Sequence, residues 1–345
     1  MPDPTRQPAL AFLIQGHTAP STRIRILNLL PYFRAANFRT CEEVYPNSIR
    51  GWFPVVGRIS GADILVVQKR LPSLIETLFL KKLAKRIVFD FDDSVWLRNR
   101  QGDARPSRKL KTRFAHFLKR ADLAICGNPF LQSYLNQHCP ATASIVIPSS
   151  VPAPETRLQS KPNSPLRVGW VGTEINLPYL AAIEAALIAA HSRVPFELTV
   201  LCSAAPRFEK FAHTRFVPWF EQTEYDHIRE FDIGIMPLAD NDHSRGKCAY
   251  KALQYMRCGV PVIASDVGIN REWIEKPGAG LTVGPGGWTD ALIEVLSSDS
   301  LRERMAACGI RAIESGFRQA DAAEQYVRAF QRILAQDSFT PQLCP

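Results

Sequence analysis

The sequence contains no run of about 18 consecutive apolar residues, although 46% of its 345 residues are hydrophobic. A transmembrane helix needs about 20 such residues in a row, so no membrane-spanning segment is predicted. The first residues carry a single arginine and a very short apolar run, which favours an opening β-strand over a signal peptide. We therefore expect a cytoplasmic protein that lies, at most, on the inner face of the membrane.

The cysteines form no C-x-x-C pair and have no histidine pair at the spacing of a zinc site. All eight are scattered along the chain, at positions 41, 126, 139, 202, 248, 258, 308 and 344. Scattered thiols are typical of reduced cysteines in a cytosolic protein and argue against a disulfide framework. We therefore predict neither disulfides nor a zinc site.

Positive charge is concentrated in the first part of the chain. Residues 1–150 carry 22 Lys/Arg and 10 Asp/Glu, whereas residues 151–345 carry 20 and 23. The basic segment Arg98–Arg120 alone has nine basic residues and one acid, Asp103. This segment could meet anionic lipid headgroups, or it could form a solvated surface loop. No nucleic-acid-binding motif occurs and no aromatic residues alternate with these cations, so nucleic acid is not predicted as a partner.

Apolar strand patterns alternate with helical patterns along the chain, which is typical of the α/β class with parallel sheets. A chain of 345 residues exceeds one typical domain, so two are expected. Five prolines between Pro148 and Pro165 indicate a linker. We predict an N-terminal Rossmann-like domain over residues 1–150, a linker over 151–165 and a C-terminal Rossmann-like domain over 166–317.

The stretch Phe231–Gly268 organises the C-terminal half. Its pattern predicts a buried strand, a polar loop, a helix from about Lys247 to Arg257, and a second buried strand. Lys247, Lys251 and Gln254 fall on the side of this helix opposite its apolar positions. In a parallel α/β sheet the loop and the helix N-terminus lie at the carboxyl edge, where ligands bind. Two lysines and a helix dipole there suit a diphosphate, although a solvated helix face has the same pattern.

The run GKCAYKALQYMRCGVPVIASDVG, residues 246–268, resembles the donor-binding region of family-4 glycosyltransferases. It is similar in particular to a bacterial branch with a GK-x3-K-x2-QYM-x-CG-x-PV pattern. The resemblance covers residues 160–315 well and the N-terminal half loosely. It implies the GT-B fold, in which two doubly wound Rossmann-like domains face a cleft, one for the acceptor and one for the nucleotide-sugar donor. It also implies that a last helix, over residues 318–337, packs back on the first domain.

By this resemblance, the protein transfers a sugar from a UDP-, GDP- or similar nucleotide sugar to a hydroxyl acceptor with retention at the anomeric carbon. The acceptor would be a saccharide or a lipid-linked glycan in cell-surface polysaccharide synthesis. Cations that stabilise the leaving diphosphate make a metal cofactor unnecessary. The expected donor-binding residues are Gly172, Thr173, Trp219, Asp242, Arg245, Lys247, Lys251, Gln254 and Gly268.

The sequence departs from the family pattern at two places. Family members typically have two glutamates eight residues apart, one near the donor sugar and one near the ribose, and Gly246 and Gln254 stand at those positions. Many members also have cations where this chain has Thr173 to Leu177, which carry none. A catalytically silent binding or scaffold protein with the same fold is therefore a second hypothesis.

An acidic loop follows the apolar strand RIVFDF and contains Asp90, Asp92 and Asp93. The spacing resembles the opening motif of haloacid-dehalogenase-like phosphatases, with Asp90 as nucleophile and Asp92 as acid/base, but that motif normally opens its domain. The spacing could also bind a divalent metal, or cap the next turn. Similar segments in family-4 members face the acceptor, where an aspartate could orient or deprotonate its hydroxyl. We adopt this last interpretation and predict the three aspartates as catalytic candidates.

Three further residues are predicted on the acceptor side. His17 and Arg23 lie in and after the first loop, HTAPSTR, where some relatives of the family have a glycine pair. Asn128 follows the strand ADLAIC and is expected at the same carboxyl edge. A surface histidine would account for His17 equally well.

Overall fold

The computed structural model describes residues 6–100, 103–154 and 164–335, and it divides into two compact units. Unit 1 combines the first 150 residues, apart from 100–102, with the segment from Gln319 onward. Unit 2 contains Val151–Arg318. Most of the predicted linker, residues 155–163, lies outside the described residues, as do positions 336 and 337 of the predicted last helix.

Unit 1 has a six-stranded parallel sheet in the order β2-β1-β3-β4-β7-β8. Its strands are β1 Ala9–Ile14, β2 Arg39–Val44, β3 Ala62–Gln68, β4 Ala84–Phe91, β7 Leu123–Cys126 and β8 Ser144–Val146. The short strands β5 Leu97–Arg100 and β6 Asp103–Pro106 form a separate two-stranded sheet. Its helices are α1 Pro20–Arg25, α2 Leu30–Ala35, α3 Ile49–Ile59, α4 Leu74–Leu83, α5 Arg108–Leu118, α6 Pro129–His138 and α14 Gln319–Ala335.

The first helix is divided where the sequence predicts a continuous one from Thr22 to Ala35. A 3-10 turn, Leu27–Leu29, separates α1 from α2. Pro31 lies in the first turn of α2, and a proline has no N–H to donate to the carbonyl four residues earlier. The break therefore follows from Pro31.

Helix α14 completes the core of unit 1. Tyr326 and Phe330 pack against Phe33 with ring centroids 5.8 and 5.7 Å apart, and all three side chains are buried. Edge-to-face aromatic pairs of this kind stabilise a core beyond their buried area. The last described helix of the chain thus belongs structurally with the first 150 residues.

Unit 2 repeats the architecture, with a six-stranded parallel sheet in the order β11-β10-β9-β12-β13-β14. Its strands are β9 Leu166–Val171, β10 Phe196–Cys202, β11 Thr214–Pro218, β12 Ile233–Met236, β13 Val262–Ser265 and β14 Gly280–Val283. Its helices are α7 Leu177–Ala181, α8 Glu184–His191, α9 Glu224–Arg229, α10 Asp242–Arg245, α11 Tyr250–Arg257, α12 Trp288–Leu296 and α13 Asp299–Glu314, with a π-helical turn at Arg271–Glu275.

Each sheet reverses its strand order once. The reversal lies between β1 and β3 in unit 1 and between β9 and β12 in unit 2. The loops that leave these strands at their carboxyl ends diverge there and leave a crevice, the usual ligand site of such sheets. The predicted α/β class with two doubly wound domains is thereby confirmed, and each unit has one edge at which to search for a site.

Two further expectations concern cysteines and membrane spans. None of the seven cysteines within the described ranges forms a disulfide. Among the helices that the structure describes, none is both long and apolar enough to cross a membrane.

Candidate functional site

Polar side chains from the segments that follow three strands meet at the strand-order reversal of unit 1. Ser21 lies in α1 beyond the end of β1, Lys69 directly follows β3, and Asp92 and Asp93 directly follow β4. Because β1, β3 and β4 are neighbours in a parallel sheet, their carboxyl ends meet at one edge. These four residues, Ser21, Lys69, Asp92 and Asp93, are called the acidic cluster below.

Lys69 joins the members of the acidic cluster. Its Nζ lies 3.0 Å from Asp92 Oδ1 and 2.5 Å from Asp93 Oδ2. The Ser21 hydroxyl lies 2.6 Å from both carboxylate oxygens of Asp92 and donates to them. The Lys69 backbone has a φ of +57°, a left-handed conformation that costs about 1–3 kcal/mol in a residue other than glycine. The surrounding contacts therefore hold Lys69 in one fixed position.

The charges of the acidic cluster stabilise one another. Burial acts to lower the pKa of Lys69, but the charges of Asp92 and Asp93 and their hydrogen bonds outweigh burial and raise that pKa above its ordinary value. Burial acts to raise the pKa of Asp92, but Lys69, Arg25 and the Ser21 hydroxyl hold it below its ordinary value. Asp92 is therefore ionised at neutral pH and can accept a hydrogen bond from a hydroxyl group.

Asp90 is placed differently from Asp92 and Asp93. It lies within β4, is fully buried, and accepts hydrogen bonds of 2.8 Å from both Nε and Nη2 of Arg25. The Tyr326 hydroxyl donates to the same carboxylate and accepts a hydrogen bond of 2.8 Å from Arg25 Nη2. Arg25 also donates to the Ile147 carbonyl at 3.1 Å. This buried Arg25–Asp90–Tyr326 network ties α14 to the sheet, and Asp90 does not face solvent.

The predicted acceptor-side residues differ in their burial and contacts. His17 is exposed in the turn after β1, and within the described residues no hydrogen bond or ion pair joins it to the acidic cluster. Arg23 is partly buried in α1. Asn128 is fully buried and caps α6, since its Oδ1 accepts a hydrogen bond of 2.9 Å from the Leu131 N–H. The structure thus gives Asn128 a capping role.

The predicted basic segment Arg98–Arg120 forms β5, β6 and α5, apart from residues 101 and 102, which lie outside the described residues. Helix α5 packs through buried aromatic side chains, including Phe114 and Phe117. Its first turn exposes Lys109 and Lys111. The helical part of the segment is therefore an ordered surface.

In unit 2, α11 begins at Tyr250, three residues later than the sequence predicts. Ala249 has a φ of +46°, and this left-handed residue interrupts the helix. The Lys247 N–H donates instead to the Ser244 carbonyl at 3.1 Å. Lys247 therefore precedes α11 and does not lie on its face, which corrects the predicted helical spacing. No side chain caps the N-terminus of α11, so the positive end of its dipole is available close to Lys247.

Lys251 lies against the face of Trp170. Its Nζ is 4.5 Å from the centre of the Trp170 ring, and no carboxylate in the described part of the chain pairs with it. A Cβ atom at Gly172 would lie 2.1 Å from the Trp170 ring and 2.8 Å from Lys251 Nζ. Only glycine at position 172 permits this close packing, which places the ammonium group beside the loop that follows β9.

Among the described residues of unit 2, no acidic side chain forms an ion pair with Lys251. Burial, and then the charge of Lys247, lower the pKa of Lys251 from 10.5 to about 7, whereas Cys202 acts in the opposite direction. A bound anion would raise this pKa, because an opposite charge nearby favours the ammonium form. The arrangement is typical of a site that receives its negative charge from a ligand.

Two buried polar atoms near these lysines in the sequence lack partners among the described residues. Gln254 is 2% exposed and its Nε2 has no hydrogen-bond partner. The Ser244 hydroxyl in α10 is also buried without a partner. An unsatisfied buried group costs about 1–3 kcal/mol, so each is an atom that a ligand or a water molecule would satisfy.

Arg245, a predicted donor-site cation, is already paired. Its Nε lies 2.7 Å from Asp240 Oδ1 and its Nη2 lies 3.0 Å from Asp240 Oδ2, while Asp242 lies 3.8 Å away. The hydrogen bond and charge of Asp240 raise the pKa of Arg245, and Arg245 lowers the pKa of Asp240. All three side chains are exposed, so Arg245 would have to leave Asp240 to bind a phosphate.

The remaining predicted donor residues lie in loops after β9, β11 and β13. Gly268 has a φ of +62°, and a Cβ atom there would lie 2.8 Å from the Arg245 carbonyl oxygen. Thr173 is exposed, and its hydroxyl accepts a hydrogen bond of 2.8 Å from Asn176. Trp219 is partly buried, and its indole N–H donates to Glu224 at 2.9 Å.

Sequence reasoning missed Lys69 and Trp170. The available signal for Lys69 was its position directly after a buried strand, at the edge where ligands bind. Trp170 lies inside an apolar strand and is typical of a core residue, so only the structure reveals its contact with Lys251. Within the described ranges, no group of three or more His, Cys, Asp or Glu side chains could hold a metal ion.

Comparison with known proteins gives a match to a family model over part of the chain and a shared fold. Residues 167–298 match the family model described as Glycosyl transferases group 1. No curated protein matches the sequence.

Solved structures share the fold over almost the whole chain. Sucrose-phosphate synthase from Thermosynechococcus elongatus superimposes with a TM-score of 0.73 at 16% identity, over 96% of this chain and 100% of that one. The pneumococcal O-GlcNAc transferase GtfA, in complex with UDP and GlcNAc, superimposes with a TM-score of 0.61 at 11% identity. The superposition covers 82% of this chain and 59% of that one. WaaG, a glycosyltransferase involved in lipopolysaccharide biosynthesis, superimposes with a TM-score of 0.60 at 12% identity, over 93% of this chain and 99% of that one. The chain thus has the GT-B fold of its structural neighbours and carries a glycosyl transferases group 1 domain in unit 2.

Proposed function

We propose that this protein is a retaining glycosyltransferase that moves a sugar from a nucleotide diphosphate sugar to a hydroxyl acceptor. The observation that carries the proposal is Lys251, whose ammonium group lies on Trp170 without a counter-charge from the described chain. It lies in the domain that matches the group 1 family, three residues before a buried glutamine with an unpaired amide nitrogen.

The donor diphosphate would bind at Lys251 and Lys247. A departing nucleoside diphosphate gains negative charge as the glycosidic bond breaks, and fixed positive charge stabilises that transition state. The uncapped N-terminus of α11 adds a partial positive charge in the same region. These groups supply the stabilisation without a metal ion.

Gln254 would bind the ribose of the nucleotide. Its buried Nε2 can donate a hydrogen bond to a ribose hydroxyl, and its carbonyl oxygen can accept one. Gln254 thus replaces the second glutamate of the family pattern with a neutral group that makes similar hydrogen bonds. Trp219, Thr173 and Gly268 would line the same donor site.

The acceptor hydroxyl would bind at the acidic cluster of unit 1. Asp92 is ionised and partly exposed, and it can orient a hydroxyl group or take its proton. Asp93 is the more exposed partner of Lys69 and could serve the same purpose. Asp90 is left out of this proposal because Arg25 and Tyr326 occupy its oxygens.

The neighbours suggest the kinds of substrate. GtfA is in complex with UDP and GlcNAc, and WaaG acts in lipopolysaccharide biosynthesis. We propose by analogy a UDP- or GDP-sugar donor and a saccharide or lipid-linked glycan acceptor, used by a cytoplasmic enzyme in cell-surface polysaccharide synthesis.

A thermal-shift screen against uridine, guanosine and adenosine diphosphates and their sugars, with and without Mg²⁺, tests the donor site. We expect one nucleotide family to raise the melting temperature without Mg²⁺. Lys247→Ala should weaken this binding sharply, because a charge-assisted contact to phosphate is lost. Unchanged nucleotide affinity and turnover in this variant would contradict the diphosphate assignment.

A catalytically silent GT-B binding protein is the second candidate, and Gly246 favours it because a glycine cannot replace the glutamate that contacts the donor sugar. Such a protein would bind nucleotide weakly or not at all in the same screen, and an activity assay would show neither transfer nor hydrolysis of any nucleotide sugar. The phosphatase alternative needs Asp90 as a free nucleophile. Its burial against Arg25 argues against that role.

A further inference from the structure

Helices α3 and α4 of unit 1 expose large apolar side chains to solvent. Ile49 and Phe53 in α3 are 85% and 77% exposed, and Ile75 in α4 is 81% exposed. Leu78 and Phe79 in α4 are also exposed. Single exposed apolar residues are ordinary, but several large ones on neighbouring helices mark an interaction surface.

These residues form one surface. Ile49 and Phe53 are four residues apart and therefore lie on one side of α3. Ile75, Leu78 and Phe79 have the same relation on α4. Trp52 of α3 contacts Phe79 of α4 edge-on, with ring centroids 5.5 Å apart, so the two helices are neighbours. The five exposed side chains are called the α3–α4 face below.

Positive charge accompanies the α3–α4 face. Arg50 is next to Ile49 and Lys82 lies one turn beyond Leu78, and both are exposed without an ion pair among the described residues. Helix α5, which contacts α4, adds the exposed cations Lys109 and Lys111 and contains no acidic residue. The acid of α4, Glu76, is engaged in the capping of its own helix by Ser73.

We propose that the α3–α4 face docks on an anionic lipid bilayer. Apolar side chains beside lysine and arginine are the composition of helices that lie in a membrane interface, where rings and aliphatic groups enter the headgroup region. Negative headgroups would neutralise Arg50 and Lys82. A second copy of this face would instead bring like charges together, so the charge pattern favours lipid over self-association.

Co-sedimentation of the full chain with vesicles tests this docking, independently of any turnover. We expect binding to phosphatidylcholine vesicles that contain phosphatidylglycerol and little binding to phosphatidylcholine alone. Phe53→Asp with Ile75→Asp should weaken binding at least about tenfold, because two charged groups replace inserted apolar ones. Both positions are exposed, so the fold should be retained, and circular dichroism checks it. Ile188→Asp, on α8 of unit 2, is the matched control and should bind like the unaltered protein.

Fluorescence of Trp52 supplies a second readout. Brominated lipids should quench part of the tryptophan emission of the bound protein, and Trp52→Phe should remove most of that quenching. Arg50→Glu with Lys82→Glu should weaken binding mainly to the anionic vesicles, since it reverses charges that face the headgroups.

Three results would overturn the proposal. One is binding by Phe53→Asp/Ile75→Asp that equals binding by the unaltered protein. Another is vesicle binding without any Trp52 quenching, which would assign the attraction to the basic segment alone. The third is a dimer of the unaltered protein in light scattering that becomes a monomer in Phe53→Asp/Ile75→Asp, while neither protein binds vesicles. That result would show that the α3–α4 face binds a second copy of the chain instead of lipid.

Discussion

Lys69 of unit 1 directly follows β3, and Lys251 of unit 2 lies in α11, the helix after β12. β3 and β12 have corresponding positions beside the reversals of two similar sheets, yet the environments of the two lysines are opposite. Lys69 Nζ lies within 3.0 Å of carboxylate oxygens of Asp92 and Asp93, which raise its pKa. Lys251 Nζ lies against Trp170 beside another lysine, and its pKa is lowered to about 7. Lys69 thus has two carboxylate partners, whereas Lys251 has none among the residues that the structure describes.

The difference indicates what each edge can accept. Unit 1 presents the ionised Asp92 carboxylate, which is paired with Lys69, so it can receive a neutral hydroxyl group. Unit 2 presents positive charge and an unpaired amide, so it can receive a phosphate and a sugar hydroxyl. By the function proposed above, the same doubly wound architecture supports a hydroxyl site in one unit and an anion site in the other.

The strongest test removes the carboxylate from the unit 1 site. Asp92→Asn keeps the size of the side chain but cannot take a proton, so turnover should fall about 10²- to 10⁴-fold if Asp92 is the base. Nucleotide affinity, measured by calorimetry, should stay unchanged because the proposed donor site lies in unit 2. Equal losses of turnover and nucleotide affinity would refute the division of roles.

The buried network of unit 1 should affect stability. Asp90→Asn leaves the Arg25 guanidinium buried without its carboxylate and should lower the free energy of unfolding by about 3–5 kcal/mol. Urea unfolding monitored by circular dichroism measures this change. Tyr326→Phe, which removes one hydrogen bond from the same network, is the milder comparison at about 1 kcal/mol. A stable Asp90→Asn protein with abolished turnover would return Asp90 to the catalytic candidates.

Removal of the Lys251 charge tests the proposed diphosphate site of unit 2. Lys251→Met retains much of the contact with Trp170 but loses the charge, so nucleoside diphosphate affinity should fall roughly tenfold to a hundredfold. Calorimetric titration gives the dissociation constant. Lys276→Met is a matched control, because Lys276 is exposed and paired with Glu272 in the same unit. If both variants bind nucleotide equally well, Lys251 does not contact the diphosphate.

The smallest expected effect is the dependence of stability and nucleotide affinity on pH. Lys251 has a pKa of about 7 in the folded protein and an ordinary value of 10.5, so between these values the unfolded chain holds more protons. Its contribution to the free energy of unfolding should therefore rise as pH rises through about 7. A diphosphate needs the charged form, so nucleotide affinity should fall above about pH 7, by up to about tenfold per unit. Lys251→Met should lose both dependences, and titrations between about pH 6 and 9 measure them.

The sequence was sufficient for the fold class because strand and helix patterns alternate along the chain and the two sheets follow from them. It was insufficient to predict the partners of Asp90, although a lone acid within an apolar strand indicates a buried partner. That partner, Arg25, is 65 residues away in the chain, and Tyr326 is 236 residues away on the other side. No local pattern connects residues at these separations.

The helix start in unit 2 could not be predicted for a different reason. Alanine strongly favours helices, so a helix over Lys247–Arg257 was the natural reading, yet Ala249 has a left-handed backbone. The surrounding contacts override local preference there. The donor-site residues named from the resemblance remain predictions, and the structure adds the close packing of Gly172, Trp170 and Lys251 as a physical reason to test them.

Helix α14 has a consequence for the order in which the protein is completed on the ribosome. The first 150 residues are synthesised early, but their core includes Tyr326 and Phe330, which are made only after all of unit 2. At typical translation rates the interval is on the order of ten seconds. During that time the nascent sheet of unit 1 exposes the apolar surface that α14 later covers, so the segment that begins folding first is the last to finish.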